Sequence, residues 1–348
     1  MNQTTSNFLI RLLNWEFWPW PVVYFPVMIY YCWLSIKART PFFFFATNPG
    51  IESGGLLIES KKEILDMIPG KLKPKTMFFK YPSSLEEIIA GMHESGIYFP
   101  VIAKPDYGER GWMVEKIEDK EELRKYVNQL RINLIVQEYV DLPVELGILY
   151  FRIPGEKRGH VSSVTAKVLL HVTGDGSSTV GMLIRQNPRA RLHLKEIEKR
   201  HQGFMNYVPA RNEKVELVPI GNHSRGTAFI DRNDLIDDRL ETTIDNIAHK
   251  LPGFYYGRFD LRCLDLESMK QGKNIRILEL NGCKSEPAHI YHPGGSLFEA
   301  YRVLFFHWKI LYRIAIMNNN NGYQFPSVRE GWKSFQKYRY YRKMRKRR

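Results

Sequence analysis

Two predicted strands in the C-terminal third of the chain carry acidic and amide side chains that could bind a metal ion. Asp260 lies in one apolar run, and Glu279 and Asn281 lie in the next. Because side chains alternate between the two faces of a strand, Glu279 and Asn281 point to the same side. Their oxygens suit a hard cation such as Mg2+, which completes its shell with water and phosphate. Arg258 shares the face of Asp260 and could neutralise an anion bound to that metal.

The elements that must position these side chains form a predicted β-hairpin. Its strands, Phe259–Leu264 and Ile275–Leu280, are rich in β-branched and apolar residues, and the polar segment Glu267–Asn274 is predicted to be the turn. The alternative is a surface hairpin with solvated charges, because short motifs that resemble a metal site often occur by chance. Glu279 favours the metal site, because its neighbours are apolar and a buried acid needs a partner.

Length and composition indicate an ordinary globular protein of two or three domains or lobes. The chain has 348 residues, of which 44% are hydrophobic and 25% charged. Cys32, Cys263 and Cys283 show neither paired spacing nor a metal-binding pattern, which favours a reducing, cytosolic setting. The net charge of +14 is concentrated at the C-terminus, where the last twelve residues contain no acid and these basic residues: Lys337, Arg339, Arg342, Lys343, Arg345, Lys346, Arg347 and Arg348.

An uncharged aromatic stretch near the N-terminus predicts contact with a membrane. Residues Phe17–Ile36 are long enough to cross a bilayer, and Lys37 and Arg39 follow at once, as at a cytoplasmic end. Three prolines in the first half argue against a regular helix there. A shallow anchor on the inner face of the membrane is therefore predicted over a full span. A core segment of a soluble domain is the alternative.

A lysine and two glycines upstream predict a site for phosphate. Lys104 lies on a strand that runs into a loop containing Gly108 and Gly111, and a second strand is predicted over Trp112–Ile117. Glycines let a loop backbone close over phosphates, and a lysine on the strand behind can reach them as a point charge. The pattern is neither a P-loop nor a dinucleotide-binding fingerprint. Without the other motifs, a loop like Gly108–Gly111 would usually be a plain hairpin turn.

These motifs occur together in an order that resembles the ATP-grasp superfamily, particularly carboxylate–amine ligases of the D-alanine–D-alanine ligase and cyanophycin synthetase type. The resemblance covers about Lys75 to Leu304 and depends on Lys104 in FPVIAKPDYGERG, Gln137–Val140, Glu145, Arg258, Asp260, Glu279 and Asn281. It implies an α+β fold in which two α+β lobes sandwich ATP, here preceded by an aromatic-rich N-terminal segment. It also implies ATP and Mg2+ as cofactors, with Mn2+ able to replace Mg2+.

The resemblance implies roles for the nucleotide-binding residues. Lys104 and Lys167 resemble the two lysines that contact ATP phosphates, and the Gly108–Gly111 segment resembles the loop that covers them. Glu138 and the backbone of Val140 resemble the linker that holds adenine. The Glu145 carboxylate resembles the group that binds the ribose hydroxyls. Asp260, Glu279 and Asn281 resemble the Mg2+ ligands, and Arg258 the arginine beside the transferred phosphate.

Other residues are candidates for contact with substrate. The VTGDGSST segment is similar to cyanophycin synthetase and contains the hydroxyls of Ser177, Ser178 and Thr179, although a simple β-turn explains it equally well. Arg225 could bind a substrate carboxylate, but an exposed turn arginine is the commoner case. Ser285 and His289 follow the predicted strand that carries Glu279 and Asn281. The sequence of this segment departs from that of the D-alanine enzymes and makes D-alanine a doubtful substrate.

Five segments follow from these patterns: 1–47 is a membrane-interacting segment, 48–97 a linker or subdomain, 98–140 the small lobe, 141–317 the large lobe and 318–348 a basic tail.

The predicted activity joins a small or lipid-linked carboxylate to an amine through an acyl phosphate. The basic tail and aromatic N-terminus favour an anionic membrane surface as partner over nucleic acid. A small-molecule kinase and a non-catalytic nucleotide-binding scaffold at the membrane remain open.

Overall fold

The computed structural model describes residues 3–57, 59–109, 111–200, 202–219, 221 and 223–346. Arg110 of the predicted glycine loop and the last two residues of the predicted basic tail lie outside these ranges. The described residues form eleven strands: β1 (Thr76–Phe79), β2 (Val101–Pro105), β3 (Glu115–Ile117), β4 (Leu134–Glu138), β5 (Val144–Phe151), β6 (His160–Val168), β7 (His171–Thr173), β8 (Lys214–Glu216), β9 (Ala228–Asp231), β10 (Tyr256–Cys263) and β11 (Ile275–Asn281).

The same residues form twelve α-helices, which are α1 (Gln3–Leu13), α2 (Trp20–Ala38), α3 (Lys61–Met67), α4 (Leu85–Glu94), α5 (Lys120–Gln129), α6 (Val180–Gln186), α7 (Pro188–Arg191), α8 (Leu194–Arg200), α9 (Asp238–Ala248), α10 (Leu266–Lys270), α11 (Leu297–Asn320) and α12 (Val328–Lys346). The capping residues are those that helix starts favour. Ser84 and Glu87 form a capping box at α4, and Ser60 accepts a hydrogen bond from the Glu63 backbone at α3.

Two antiparallel sheets form the two lobes of the protein. The first has the strand order β1-β4-β2-β3, and α4 and α5 cover it with Ile88, Leu123 and Tyr126. The second has the order β11-β10-β5-β6-β9, and Leu240 and Ile244 of α9 pack on its buried face. A two-stranded sheet, β7-β8, has its own small core with α6. The predicted two-lobed α+β fold is confirmed.

Two sequence predictions of local structure need correction. The segment predicted as a turn between the hairpin strands contains helix α10, which Asp265 caps through the Ser268 backbone. The second strand after the glycine loop is only Glu115–Ile117, because the chain turns at Met113, which has a φ of 51°. The first sheet takes its edge strand, β1, from the segment predicted as a linker or subdomain. The domain boundaries stay a prediction.

The aromatic N-terminal stretch contains a continuous helix, contrary to the prediction from its prolines. Pro19 is the N-cap of α2 and Pro21 lies in its first turn, where a missing N–H costs nothing. Pro26 lies inside the helix without ending it. On composition and length alone, α2 could span a bilayer, and it is the one such helix in the described residues. A core helix or a signal sequence can pass the same test.

The N-terminal segment is packed into the large lobe. Val27 of α2 and Leu304 of α11 belong to one buried cluster, and the ring of Tyr30 lies 5.2 Å from that of Phe305. The buried Glu16 carboxylate accepts hydrogen bonds from Arg189 Nη2 at 2.6 and 2.8 Å. Any membrane contact must therefore use the outer side of α2, since its inner side is core.

Candidate active site

The hairpin of β10 and β11 brings the predicted metal ligands together. Asp260 lies directly opposite Glu279, and Arg258 lies opposite Asn281. On its other side Asp260 is opposite Gly147 of β5. A Cβ at Gly147 would lie 3.2 Å from both Arg258 Cδ and Asp260 Oδ1, so glycine leaves the room that these side chains use. The convergence predicted from the sequence is thus present, although the roles of the residues stay predictions.

Asp260 is the centre of a buried charge network. Arg258 donates from Nε to Oδ1 at 2.8 Å and from Nη2 to Oδ2 at 3.1 Å, and Asn281 Nδ2 donates to Oδ2 at 3.3 Å. Lys167 Nζ lies 3.3 Å from Oδ1. Burial alone would raise the pKa of Asp260, but Arg258 and Lys167 outweigh it and hold that pKa below its ordinary value. Asp260 is therefore an ionised carboxylate at neutral pH.

Glu279 is paired with a lysine that the sequence did not single out. Lys61 Nζ, at the start of α3, lies 2.7 Å from Glu279 Oε1. Burial opposes ionisation of this carboxyl group, but Lys61 and Lys104 lower the pKa of Glu279 well below its usual range. Both acids of the hairpin are thus charged, and each has a cationic partner, Arg258 for Asp260 and Lys61 for Glu279.

Lys104 is a buried cation whose hydrogen-bond acceptors in the described residues are neutral. Its Nζ donates to Gln137 Oε1 at 2.9 Å and to the Leu278 carbonyl at 3.3 Å. Burial lowers the pKa of Lys104 from 10.5 to about 8, with Glu279 opposing the shift only in part. A phosphate group beside Lys104 would supply the direct counter-charge that this ammonium lacks.

The residues predicted to hold the nucleoside lie at the junction of the lobes. Glu145 on β5 accepts from Arg262 Nε at 3.0 Å, and Lys167 Nζ lies 3.4 Å away. Arg262 Nη1 also donates to the Val140 carbonyl at 2.8 Å. Glu138 ends β4 with an exposed side chain that accepts from the Lys75 backbone at 3.1 Å. Lys167 therefore connects the predicted ribose carboxylate to the predicted metal site.

The large lobe holds the glycine loop through Arg225. Arg225 Nη2 donates to the Gly111 carbonyl at 2.8 Å, and Nη1 donates to the Val114 carbonyl at 3.3 Å. Gly111 has a φ of 68°, a left-handed conformation that favours glycine. Gly108 lies in the same loop, close to Trp112. In this structure Arg225 fixes the loop, so the predicted contact with a substrate carboxylate would require it to exchange partners.

The hydroxyl groups of the VTGDGSST segment form hydrogen bonds with nearby residues of the same segment and of helix α6. Asp175 accepts from the backbone and side chain of both Ser177 and Ser178, at 2.6–3.1 Å. These bonds, chiefly from Ser178, lower the pKa of Asp175. The side chain of Thr179 caps α6 by accepting from the Met182 backbone at 3.3 Å. The predicted substrate contact of these hydroxyls stays a prediction, and the local turn explains their present positions.

Ser285 and His289, in the segment after β11, contact different strands. Ser285 Oγ accepts from the Arg258 backbone at 3.1 Å and donates to the Asn281 carbonyl at 2.7 Å, so it fixes the end of β11. His289 Nδ1 lies 2.7 Å from Ser163 Oγ on β6. Burial lowers the pKa of His289, which keeps its imidazole neutral at pH 7. Substrate contact by either residue stays a prediction.

Four residues of the cluster were missed in the sequence. Lys284 Nζ lies 2.5 Å from Glu59 Oε1, and Lys61 and Arg262 make the ion pairs described above. Arg262 could have been found in the sequence, because it lies two residues after Asp260 and four after Arg258 and therefore shares their face of the strand. Lys61, Lys284 and Glu59 gave no comparable signal, since their neighbours come from distant parts of the chain.

The cluster is dense in charge. Six cations lie among four carboxylates with which they form ion pairs or interact: Lys61, Lys104, Lys167, Arg258, Arg262 and Lys284 among Glu59, Glu145, Asp260 and Glu279. Within the ranges described, no group of three or more His, Cys, Asp or Glu side chains could hold a metal. Two carboxylates and an amide suit Mg2+, which keeps water and phosphate ligands.

A known family matches part of the chain. Residues 57–156 match the RimK-like ATP-grasp domain. The ATP-grasp resemblance is confirmed. The match covers the small lobe and β5, which begins the large one. No curated protein sequence matches the chain significantly.

Solved structures with similar folds are distant in sequence. A bifunctional glutathione synthetase from Pasteurella multocida is 18% identical, with 70% of this chain and 35% of that chain covered and a TM-score of 0.38. D-alanine–D-alanine ligase from Bacillus anthracis is 12% identical, with 78% and 71% covered and a TM-score of 0.43. VanG D-Ala:D-Ser ligase from Enterococcus faecalis is 18% identical, with 75% and 63% covered and a TM-score of 0.40. This chain thus spans about a third of the synthetase.

Proposed function

We propose that this protein is an ATP- and Mg2+-dependent ligase that joins a carboxylate to an amine. The observation that carries the proposal is the pair Asp260 and Glu279, which lie opposite each other on β10 and β11 and are both ionised. Lys104, Lys167 and Arg258 lie around this pair, and the acceptors of Lys104 among the described residues are neutral. That combination fits a metal-bound polyphosphate better than a solvated hairpin.

Each side chain would act through charge and position. Asp260, Glu279 and Asn281 would hold Mg2+, which would supply positive charge to the bound phosphates. Lys104 and Lys167 would bind the phosphates from the two lobes. Glu138, the Val140 backbone and Glu145 would bind the nucleoside. Arg258 would stabilise the charge that develops on the transferred phosphoryl group.

The proposed reaction has two steps and needs no enzyme nucleophile. In the first, a substrate carboxylate oxygen attacks the terminal phosphorus of ATP, the bond to ADP breaks, and an acyl phosphate forms. In the second, an amine attacks the acyl carbon, the C–N bond forms, and inorganic phosphate leaves with the bonding electrons while the amine loses a proton to solvent. Holding the reactants in line supplies much of the acceleration in such transfers.

A screen of phosphate release tests the proposal against its alternatives. Acids and amines are supplied singly and in pairs with ATP and Mg2+, and the products are identified by mass spectrometry. A ligase requires both partners and yields an amide. A kinase would yield a stable phosphorylated product from a single partner, and a scaffold would bind nucleotide without releasing phosphate. Either result would overturn the ligase proposal.

Nucleotide binding should weaken in mild alkali because of Lys104. With a pKa of about 8, the Lys104 ammonium loses its proton as the pH rises, and the phosphates lose a cation. Affinity for a non-hydrolysable ATP analogue with Mg2+ should therefore fall about tenfold between pH 7 and pH 9. Calorimetry in buffers of different ionisation enthalpy should show proton uptake on binding. Lys104→Arg, which stays charged, should give a flat profile, and an equally steep profile in that variant would contradict the assignment.

We also propose that the enzyme works at a cytoplasmic membrane surface and that its substrate can be lipid-linked. Large apolar side chains project outward from α2, including Phe25, Ile29 and Ile36, which are 66%, 59% and 77% exposed. Phe298 at the start of α11 is also exposed, at 76%. An exposed apolar helix face of this kind supports insertion into the interfacial region of a bilayer.

Vesicle flotation can test the membrane proposal with variants in which only exposed residues are replaced. The triple change Phe25→Ser, Ile29→Ser and Ile36→Ser should reduce binding to phosphatidylglycerol–phosphatidylcholine vesicles by at least about tenfold, because each side chain loses part of its transfer free energy. Deleting residues 1–45 would be a poor test, since Phe43 and Phe44 are core residues.

A matched control uses three other exposed apolar residues, in the change Tyr98→Ser, Val208→Ser and Leu264→Ser. These residues lie outside α2, so this variant should float like the unmodified protein. Equal flotation of the two triple variants would argue against α2 as the membrane contact.

A further inference from the structure

One face of the C-terminal helix α12 lies against the glycine loop. The ring of Tyr341 stacks on that of Tyr107, with centroids 4.7 Å apart and planes at 28°. Lys337 Nζ lies 5.3 Å from the centre of the Tyr107 ring, within the range of a cation–π contact, and 2.7 Å from Glu52 Oε1. This inner face of α12 therefore holds the loop at the residue directly before Gly108.

The glycine loop is thus held from two directions. Arg225 of the large lobe binds the Gly111 carbonyl at 2.8 Å, and Tyr341 of α12 binds the loop at Tyr107. In the proposed site this loop would cover the phosphates of ATP. Ordering a loop costs conformational entropy, so a contact that orders it in advance favours the binding of nucleotide.

The opposite face of α12 carries an outer stripe of basic and aromatic side chains, namely Arg329, Trp332, Arg339 and Lys343. Their spacing of three, seven and four residues places them on one side of the helix. All four are exposed, and Trp332 is 51% exposed. Within the described part of the chain, none of the three cations forms an ion pair. Such a stripe fits a surface of anionic lipid headgroups, where tryptophan is also favoured.

The start of α12 adjoins the segment that follows α2. Gly331 packs so closely on Phe42 that a Cβ there would lie 2.2 Å from the phenyl ring. Ile36 at the end of α2 and Val328 at the start of α12 are 77% and 68% exposed. Exposed apolar side chains beside the cations favour a lipid surface over a nucleic acid, which is bound mainly through its phosphates.

We propose that α12 couples an anionic membrane surface to the nucleotide site, and this inference rests on the proposed function. The outer stripe would bind lipid headgroups, while the inner face keeps its contacts with Tyr107 because the two faces are opposite. A helix fixed on a membrane leaves less conformational freedom to be lost when nucleotide binds under the loop. The membrane should therefore strengthen nucleotide binding, and nucleotide should strengthen membrane binding by the same factor.

Nucleotide affinity with and without vesicles tests the inference on the full-length protein. The probe is a non-hydrolysable ATP analogue with Mg2+, titrated alone, with phosphatidylglycerol–phosphatidylcholine vesicles, with pure phosphatidylcholine vesicles or with a short DNA duplex. The anionic vesicles should lower the Kd about fivefold, and the other additions should leave it unchanged. Unchanged or weaker binding with anionic vesicles would overturn the inference, and so would an equal gain from DNA.

A charge reversal tests the outer stripe. Arg339→Glu combined with Lys343→Glu should keep the affinity measured without vesicles and lose the gain that anionic vesicles give. The matched control, Lys120→Glu combined with Lys125→Glu, makes the same change of net charge at exposed positions of α5 and should keep the gain. If the control also loses the gain, net charge rather than the stripe is responsible, and the inference is wrong.

Replacing Tyr341 tests the connection between the two faces. Tyr341→Ala removes the stack on Tyr107 and leaves the outer stripe intact, so this variant should still float with anionic vesicles but gain no nucleotide affinity from them. Tyr341→Phe keeps the ring and should keep the gain. Saturating nucleotide should strengthen vesicle binding about fivefold in the unmodified protein and not in Tyr341→Ala. A full gain in Tyr341→Ala would contradict coupling through Tyr107.

The inference and the ligase proposal can fail separately. A gain in affinity from anionic vesicles without any amide product would support the coupling and refute the ligase proposal. Amide formation by an enzyme whose nucleotide affinity ignores vesicles would do the reverse. Absence of analogue binding under every condition would refute both.

Discussion

Replacing Glu279 by Gln is expected to lower Mg2+-dependent phosphate release by about a thousandfold, because the change removes one of two carboxylates that face each other across the hairpin. The amide keeps the size of the side chain and an acceptor for Lys61, which lies 2.7 Å away. The fold should therefore survive, and the loss should appear in turnover and metal dependence rather than in thermal stability.

The sign of the effect on nucleotide binding distinguishes a metal ligand from a structural acid. Without Mg2+, Glu279→Gln should bind an ATP analogue at least as tightly as the unmodified protein, since a negative charge has left a site that is already rich in cations. With Mg2+, the analogue should gain little further affinity in the variant. Titrations with and without Mg2+ measure both quantities.

The matched control is Glu267→Gln, on α10 between the same two strands. Glu267 is exposed and forms a surface ion pair with Arg239 at 3.0 Å, so its loss should change neither turnover nor Mg2+ dependence. If Glu279→Gln behaves like this control, the metal assignment is wrong.

The hairpin could be predicted because its information is local. Arg258 and Asp260 alternate on one strand, Glu279 and Asn281 alternate on the other, and strands with a short connection pair antiparallel. The sequence left the register open: in the structure Asp260 lies opposite Glu279, and the register shifts between Asp260 and Leu261. Helix α10 lies outside the paired residues, so the two strands still pair.

The remaining residues of the cluster could not be predicted, because tertiary structure alone brings them there. Lys61 reaches Glu279 from 218 positions away, and Arg225 reaches Gly111 from 114 positions away. Neither contact leaves a periodic signal in the sequence. The prediction that prolines prevent a regular helix near residue 20 was wrong for a different reason. Pro19 and Pro21 lie at the start of α2, where proline is favoured.

Replacing Asn48 by Ala is expected to destabilise the protein by about 4 kcal/mol, a large part of the stability of a typical domain. Asn48 is fully buried, and its Oδ1 accepts from the backbone of Tyr255 and Tyr256 at 2.8 and 2.9 Å. Its Nδ2 donates to the carbonyls of Tyr256 and Gly54 at 2.8 and 3.1 Å. Truncation leaves all four backbone groups without this partner in a buried environment.

Urea denaturation should show this loss as a lower midpoint with little change in slope. Asn128→Ala, at an exposed position of α5, should differ from the unmodified protein by less than about 0.5 kcal/mol. The Asn48 bonds tie the chain just after the N-terminal segment to the start of β10, the strand that carries Arg258 and Asp260. Weaker binding of the Mg2+–nucleotide complex in Asn48→Ala, under conditions where the variant is still folded, would therefore show that Asn48 helps to position β10.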